Sequence, residues 1–303
     1  MNKELREIII KYHLHPISYQ KKRKVYIISS QNNRYVIKLN TNNYDIYKYL
    51  ISRDFLLFPN YYNGPNDNYD ILEYIDDLSL SEEQKINDYI STLALLHYKT
   101  SYKREIDLDE IKEKYESITN KLTGLRDYYH NLNNTIDKEM FLSPAMYLLV
   151  RNISLIYAII ENSLSMLNEL YNKIKNEKSI RVALLHNNVS LDHLIVNNKP
   201  YLINWDNAYF ANPIYELENF YRKYYHNVEI NDFLKTYESV NKLSVDEKTL
   251  LLILLSIPWE IKLSGDTYLD TKLINDEVDY LNKVYELLMS AKKNYQESLK
   301  KHS

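Results

Sequence analysis

Cysteine is absent from the 303-residue chain, which removes disulfides, thiolate nucleophiles and thiolate metal sites together. Glycine is almost as scarce, with only Gly64, Gly124 and Gly265, against an ordinary share of about 7%. Loops that bring backbone amides against phosphates normally use glycine's freedom at positive φ, so no glycine-rich phosphate loop can be written for this sequence. Charge of one sign is also missing. The formal net charge is −3, which supplies no global field for nucleic acid or an anionic membrane, and the basic run Lys21, Lys22, Arg23 and Lys24 reads as a solvated turn. Long apolar runs are lacking too: the most apolar stretch, Leu250 to Ile257, is far shorter than a membrane span, and charges break the N-terminal apolar stretch too early for a signal peptide. The expectation is a soluble, cytoplasmic protein with no nucleic-acid and no membrane partner.

What is present is a hydrophobic share of 45% with 26% charged residues, enough for a sizeable core, and 31 tyrosines. A short amphipathic helix from Leu5 to Tyr12 precedes candidate strands at Ile17 to Tyr19, Val25 to Ser29 and Arg34 to Leu39. In the last, Tyr35, Ile37 and Leu39 alternate with Val36 and Lys38, so Lys38 leaves the face opposite the apolar one. A helix from Tyr44 to Ser52 follows, then candidate strands at Leu57 to Tyr62 and Tyr69 to Tyr74 around the turn at residues 63–66.

From about residue 79 the period becomes helical. Ser81 and Gln84 have capping-box spacing, and Ile86, Tyr89, Ile90, Leu93, Leu96 and His97 share one face. Further helices are expected over Ile111 to Leu125, from Ser143–Pro144 to about Lys175, over Ile214 to Tyr225, from the capping box Ser244–Glu247 to Ile257, and over Lys272 to Lys293. Between them, Val182 to Leu185 reads as a strand, and Leu194 to Val196 with Tyr201 to Ile203 as a hairpin. The fold class is α+β: a small antiparallel-sheet lobe over residues 1–75 and a mostly helical lobe over 76–303.

The segment His186 to Phe220 resembles the catalytic core of the aminoglycoside phosphotransferase and choline kinase-like superfamily, whose protein kinase-like fold reads H-G-D-x-x-x-x-N, a hairpin, I-D-[FW]-[DE] and P-x-x-D-L. The resemblance puts His186 on the His, Asn188 on the catalytic Asp, His193 on the metal-binding Asn, Asn204 on the metal-binding Asp, Asp206 on the acidic residue two positions on, and Glu216 on the Asp that braces the loop. Tyr35-Val36-Ile37-Lys38 looks like the strand with the phosphate-pairing Lys, Asp45 like its ion-pair partner and Glu73 like the acidic strand end, while Leu93 to His97 resembles the family's helix motif. The spore-coat kinase-like branch is nearest in flavour, and residues 101–178 are least covered.

The spacing fits this family; the chemistry does not. Phosphoryl transfer depends on neutralising phosphate charge with carboxylate-held Mg²⁺ and a Lys. Asn188 cannot accept a proton as a base, Asn204 offers an oxygen without charge, and His193 offers an imidazole nitrogen that suits zinc or copper better than a hard cation. Simpler readings stand beside these. His186 reads as a structural histidine bonded to backbone, and His193 with Asp192 matches no metal signature. Lys38 could be an edge lysine in water, and Asp206 and Glu216 could complement helix dipoles, although for Glu216 bracing is preferred.

The sequence therefore reads as a pseudokinase acting as a binding or scaffolding module, with ATP and Mg²⁺ held weakly or not at all. The alternative is an active ATP-dependent small-molecule phosphotransferase in which Asp206, with Asp192, rebuilds the metal site. A purely structural protein is the third class. Neither substrate, partner nor oligomeric state is specified.

Overall fold

The computed structural model describes residues 3–31, 33–62, 64, 66–78 and 80–302, with side chains as far as Lys293. In chain order its first elements are α1 (Lys3–Lys11), β1 (Ser18–Lys22), β2 (Val25–Ser29), β3 (Arg34–Leu39), α2 (Tyr44–Ser52), β4 (Tyr69–Glu73) and α3 (Glu82–Thr100). Next come β5 (Tyr102–Glu105), α4 (Leu108–Ile136), α5 (Pro144–Ile174), β6 (Ser179–Leu185), a 3₁₀ turn at Leu191–His193, β7 (Leu194–Val196), β8 (Pro200–Leu202) and β9 (Tyr209–Ala211). Four helices close the chain: α6 (Ile214–Tyr224), α7 (Ile230–Glu238), α8 (Val245–Leu255) and α9 (Thr267–His302). The fold is thus mixed α+β, with a small antiparallel sheet in the N-terminal region and helices predominating after it. Two compact units form. One holds Met1–Tyr102, Val182–Glu216 and His226–Lys242, the other Lys103–Arg181, Leu217–Tyr225 and Leu243–Ser303.

In the first unit the sheet runs β1-β2-β3-β4, antiparallel throughout. Leu5, Ile8 and Ile9 recur at helical spacing along α1 and pack on Tyr26, Ile28, Ile37 and Ile71 of one sheet face. Because side chains alternate along a strand, burying Ile37 there sends Lys38 out of the opposite face, directly across from Asp70 of β4. The β1–β2 turn is only two residues long, since Lys22 pairs with Val25, and Arg23 takes its left-handed position at φ 53°. All four basic residues of the run are exposed there.

The strand expected at Leu57 to Tyr62 is not formed; only an isolated bridge joins Tyr61 to Leu72. Pro59 removes a ladder donor in the middle of that run, and Phe58 and Tyr61 pack their rings on Tyr47 at centroid separations of 5.1 and 4.2 Å. Part of the turn expected at residues 63–66, and residue 79, where the helical period was expected to begin, lie outside the described residues. Ser81 caps α3 by accepting from the Gln84 amide at 3.3 Å, but the Gln84 side chain bonds Asp88 instead of returning to Ser81, so the box is half-made. The β7–β8 hairpin pairs Leu194 with Leu202 as expected, while β5, β9 and α7 were not anticipated.

In the second unit α5 starts at Pro144 with Ser143 accepting from the Met146 amide, and α8 carries a complete Ser244–Glu247 box. The same Glu247 carboxylate takes both arms of Arg181, each at 2.8 Å. Arg222 serves the other end of α8, donating to the carbonyls of Leu254, Leu255 and Ile257, which have no intrahelical partners. Tyr115 stacks on Tyr171 at 4.3 Å between α4 and α5. Among the described residues one helix, α5, is long and apolar enough by length and composition to cross a membrane; its Leu149, Ile156, Ile159, Ile160, Met166, Leu167 and Leu170 are buried within the protein.

Candidate functional site

The site lies in the first unit, where β6 ends and the chain turns into the segment that resembles a catalytic loop. His186 is wholly buried. Its Nε2 donates to the Ile203 carbonyl at 2.8 Å and its ring meets Trp205 edge-on at 4.8 Å. Burial pushes its pKa down, outweighing the nearby Glu216 carboxylate. The next residue, Asn187, adopts φ 52° at the position where the family pattern has glycine; Asn is among the few residues that tolerate this region.

Glu216, in the first turn of α6, is buried and braces this turn. Its Oε2 accepts from the His186 amide at 3.1 Å and its Oε1 from the Asn187 amide at 2.6 Å. The His97 imidazole meets the same Oε2 at 2.9 Å, and its Nδ1 faces the Tyr237 hydroxyl at 2.9 Å, which in turn accepts from Asn241 at 2.7 Å. A single proton on His97 Nε2 lets every bond in this chain run one way, from Asn241 through Tyr237 and His97 to Glu216. Burial acts to raise the Glu216 pKa, but the hydrogen bonds from His97 and from the Asn187 amide help to outweigh it and hold the carboxyl below its usual value.

Around the loop, three residues on the resemblance's catalytic and metal positions bond one another in a ring. The Asn188 amide donates to the Asn204 carbonyl at 3.0 Å, the Asn204 amide faces His193 Nε2 at 3.3 Å, and His193 Nδ1 faces the Asn188 carbonyl at 2.9 Å. The ring needs amides: an Asp at 188 has no N–H for the Asn204 carbonyl, and an Asp at 204 has none for His193. Asn204 holds φ 68°, another left-handed Asn.

Lys38 completes the constellation from β3. Its Nζ donates to Asn204 Oδ1 at 2.8 Å and also pairs with Asp206. Asp206 Oδ1 accepts from Asn43 Nδ2 at 3.0 Å, and Asn43 reaches the buried Asp70 through its side chain at 2.6 Å and its backbone amide at 3.1 Å. Asn43 stands at the N-cap of α2 without capping it through its side chain, a forfeit of about 0.5–2 kcal/mol. Burial raises the Asp206 pKa, but Lys38 and Asn43 more than compensate and lower it.

The structure therefore brings together Lys38, Asn188, His193, Asn204 and Asp206, with His186 and Glu216 beneath them. Asp45 lies exposed in the first turn of α2, and the Lys38 cation meets Asp206 instead. Glu73 ends β4 and accepts from Asn60 at 2.7 Å, and Asp192 is exposed in the 3₁₀ turn. Asn43, Asp70, Tyr237 and Tyr89, whose hydroxyl lies 3.4 Å from both His186 Nδ1 and the Asn188 carbonyl, were missed as site residues. Asp70 alone left a signal, a carboxylate between the apolar positions of a strand, and its cross-strand partner is Lys38.

The donor set does not suit Mg²⁺. A hard cation asks for several oxygen ligands, usually with carboxylate charge; here the oxygens are one amide and one carboxylate already neutralised by Lys38. Among the described residues no three His, Asp or Glu gather closely enough to hold a metal.

No family model and no curated protein matches the sequence. Solved structures match its fold. An aminoglycoside phosphotransferase from Alicyclobacillus acidocaldarius superposes over 98% of this chain and 95% of its own with 12% identity and a TM-score of 0.63. The choline kinase of Streptococcus pneumoniae covers 97% and 99% with 16% identity and a TM-score of 0.46. A spectinomycin phosphotransferase in complex with AMP covers 96% and 94% with 16% identity and a TM-score of 0.48. The first of these assigns the fold: the chain has the kinase-like architecture of the aminoglycoside phosphotransferases.

Proposed function

We propose that this chain is a pseudokinase of the aminoglycoside phosphotransferase-like group, a cytoplasmic binding or scaffolding module, with residues 1–75 as its sheet lobe and 76–303 as its helical lobe. The observation that carries the reading is the closed ring of Asn188, Asn204 and His193. Asn188 and Asn204 stand where the resemblance has carboxylates needed for transfer, and each makes through its side-chain N–H a hydrogen bond that an Asp could not make. His193, on the metal-binding Asn, has both ring nitrogens engaged inside the same ring. The absence from the sequence of a glycine-rich phosphate loop supports the same reading. The spore-coat kinase-like branch, within which a structural role is also at home, remains part of this proposal.

Calorimetric titration with ATP and with Mg²⁺, alone and together, tests it alongside a phosphate-release assay. The expected result is weak ATP binding that Mg²⁺ does not strengthen, and no release above background. In the triple variant Asn188→Asp, His193→Asn, Asn204→Asp, Mg²⁺-dependent ATP binding is expected to appear with release still near background, because a supporting shell about 1 Å from productive geometry does not turn over. Release by the unmodified protein that Lys38→Ala abolishes makes the chain an active ATP-dependent phosphotransferase with a rearranged metal site.

A further inference from the structure

The resemblance puts Asn204 on a metal-binding position and Asp206 on the acidic residue two positions on, and one cation already sits on the side-chain oxygens of both. Lys38 Nζ donates to Asn204 Oδ1 at 2.8 Å and pairs with Asp206. We propose that the Lys38 ammonium is the resident cation of this site, standing in for a divalent metal and excluding it from the free protein.

Charge and geometry both support this. Asp206 contributes one negative charge and Lys38 one positive, so the pair is neutral. Its second oxygen is held by Asn43 Nδ2 at 3.0 Å, and Asn43 is fixed in turn by two bonds to Asp70, whose Oδ1 also accepts from Tyr61 at 3.0 Å. Asp206 therefore keeps its other oxygen on Lys38. The other residue on a metal position, His193, spends Nε2 on the Asn204 side-chain amide and Nδ1 on the Asn188 backbone carbonyl. A divalent ion approaching Asn204 and Asp206 meets a positive charge already in contact with both and must displace it. Lys38 can hold this position because β3 fixes its stem and the side chain is only 21% exposed. In an active kinase-like site the lysine serves phosphate and the carboxylates serve metal; here the lysine serves the carboxylate. The inference rests on the reading of the site as one that has left metal-dependent transfer.

The test is a cycle of four full-length proteins, unmodified, Lys38→Met, Asn204→Asp and the double variant, titrated with Mn²⁺ alone and followed by its electron paramagnetic resonance, with melting curves to verify folding. Adding a carboxylate at 204 with Lys38 present is expected to strengthen the internal pair and give little metal binding. The double variant, with two carboxylates and no ammonium, is expected to bind Mn²⁺ about tenfold or more tighter than Asn204→Asp. Equal affinity in those two proteins overturns the proposal, as does a folded double variant that binds no more than the unmodified chain. Lys38→Gln in the same cycle, retaining an N–H for Asp206, serves if the methionine variants do not fold, with the same criteria. Phosphate release from ATP and Mn²⁺ by the unmodified protein sinks the pseudokinase reading and leaves the cycle to judge Lys38 separately.

Discussion

Replacing Glu216 with alanine is expected to cost about 4 kcal/mol of stability, since breaking a buried charged network typically costs 3–5. The carboxylate is 1% exposed and accepts from the backbone amides of His186 and Asn187 and from His97. Alanine leaves all three donors in a site water does not reach, and each unsatisfied donor carries its own desolvation penalty. Asp, one methylene shorter, cannot span the same partners, and Gln turns one acceptor into a donor facing an N–H. Both are expected to fall between alanine and the native residue. Urea unfolding at pH 7 measures this, and a loss under about 1 kcal/mol for Glu216→Ala means that the brace is not structural. The sign of the pH effect follows from the lowered carboxyl pKa: its contribution is present above the unfolded-state value and is lost as pH falls through the folded one. Acid should therefore narrow the gap between the native protein and the alanine variant.

Much of this fold was legible in the sequence because local chemistry and tertiary packing agree there. Ser143 followed by Pro144 begins a helix by both capping and fixed φ, and α5 starts at that residue. Alternation through Tyr35 to Leu39 gave β3 its bounds and the face from which Lys38 leaves. The failures have equally local causes. Leu57 to Tyr62 has the composition of a strand, yet Pro59 and the aromatic packing on Tyr47 take it out of the sheet. α7, Ile230–Glu238, is a short helix whose Glu229 N-cap makes no side-chain capping bond, and Ile230, Phe233 and Tyr237 are too few apolar positions to fix a period. β9 has three residues and gains its identity only from pairing with Ala183 to Leu185.

At the site, spacing placed the residues of the loop, but their partners lie far along the chain. That Asn188 and Asn204 each donate through an amide could be read from residue type; that these bonds close on His193 could not, because the ring depends on the left-handed turn at Asn204 and on the 3₁₀ turn before β7. Asn43 is the clearest case of tertiary override. Its type and position announce an N-cap, and the structure spends its side chain on two carboxylates instead. The local preference loses because a buried Asp70 needs donors more than the first turn of α2 does.

Replacing Glu277 with glutamine is expected to stabilise the protein above neutral pH by about 3 kcal/mol and to leave it unchanged near pH 4. Glu277 lies in α9 and is fully buried; one oxygen accepts from the Trp259 amide at 2.8 Å and the other has no hydrogen-bond partner among the described residues. Burial pushes its pKa from 4.5 up to about 7, opposed by the Trp259 amide and by Arg222. A carboxyl raised in the folded state favours folding while it stays protonated. Its contribution is therefore complete below the unfolded value of 4.5, declines as pH rises toward 7, and changes no further above that. Glutamine keeps the shape and an acceptor for Trp259 while abolishing the ionisation, so it removes the decline without altering the acid limit. The aromatic cluster of Tyr225, Trp259 and Tyr280 packed at the same place, with Trp259 and Tyr280 stacked 5.7 Å apart, brings no charge of its own, and Arg222 over the Tyr280 ring offsets the burial only in part. Melting temperatures from pH 4 to 8 for the two proteins should coincide at the acid end and separate by about 6 °C at the alkaline end. Parallel curves across that range mean that the carboxyl is ionised at little cost and that water reaches it.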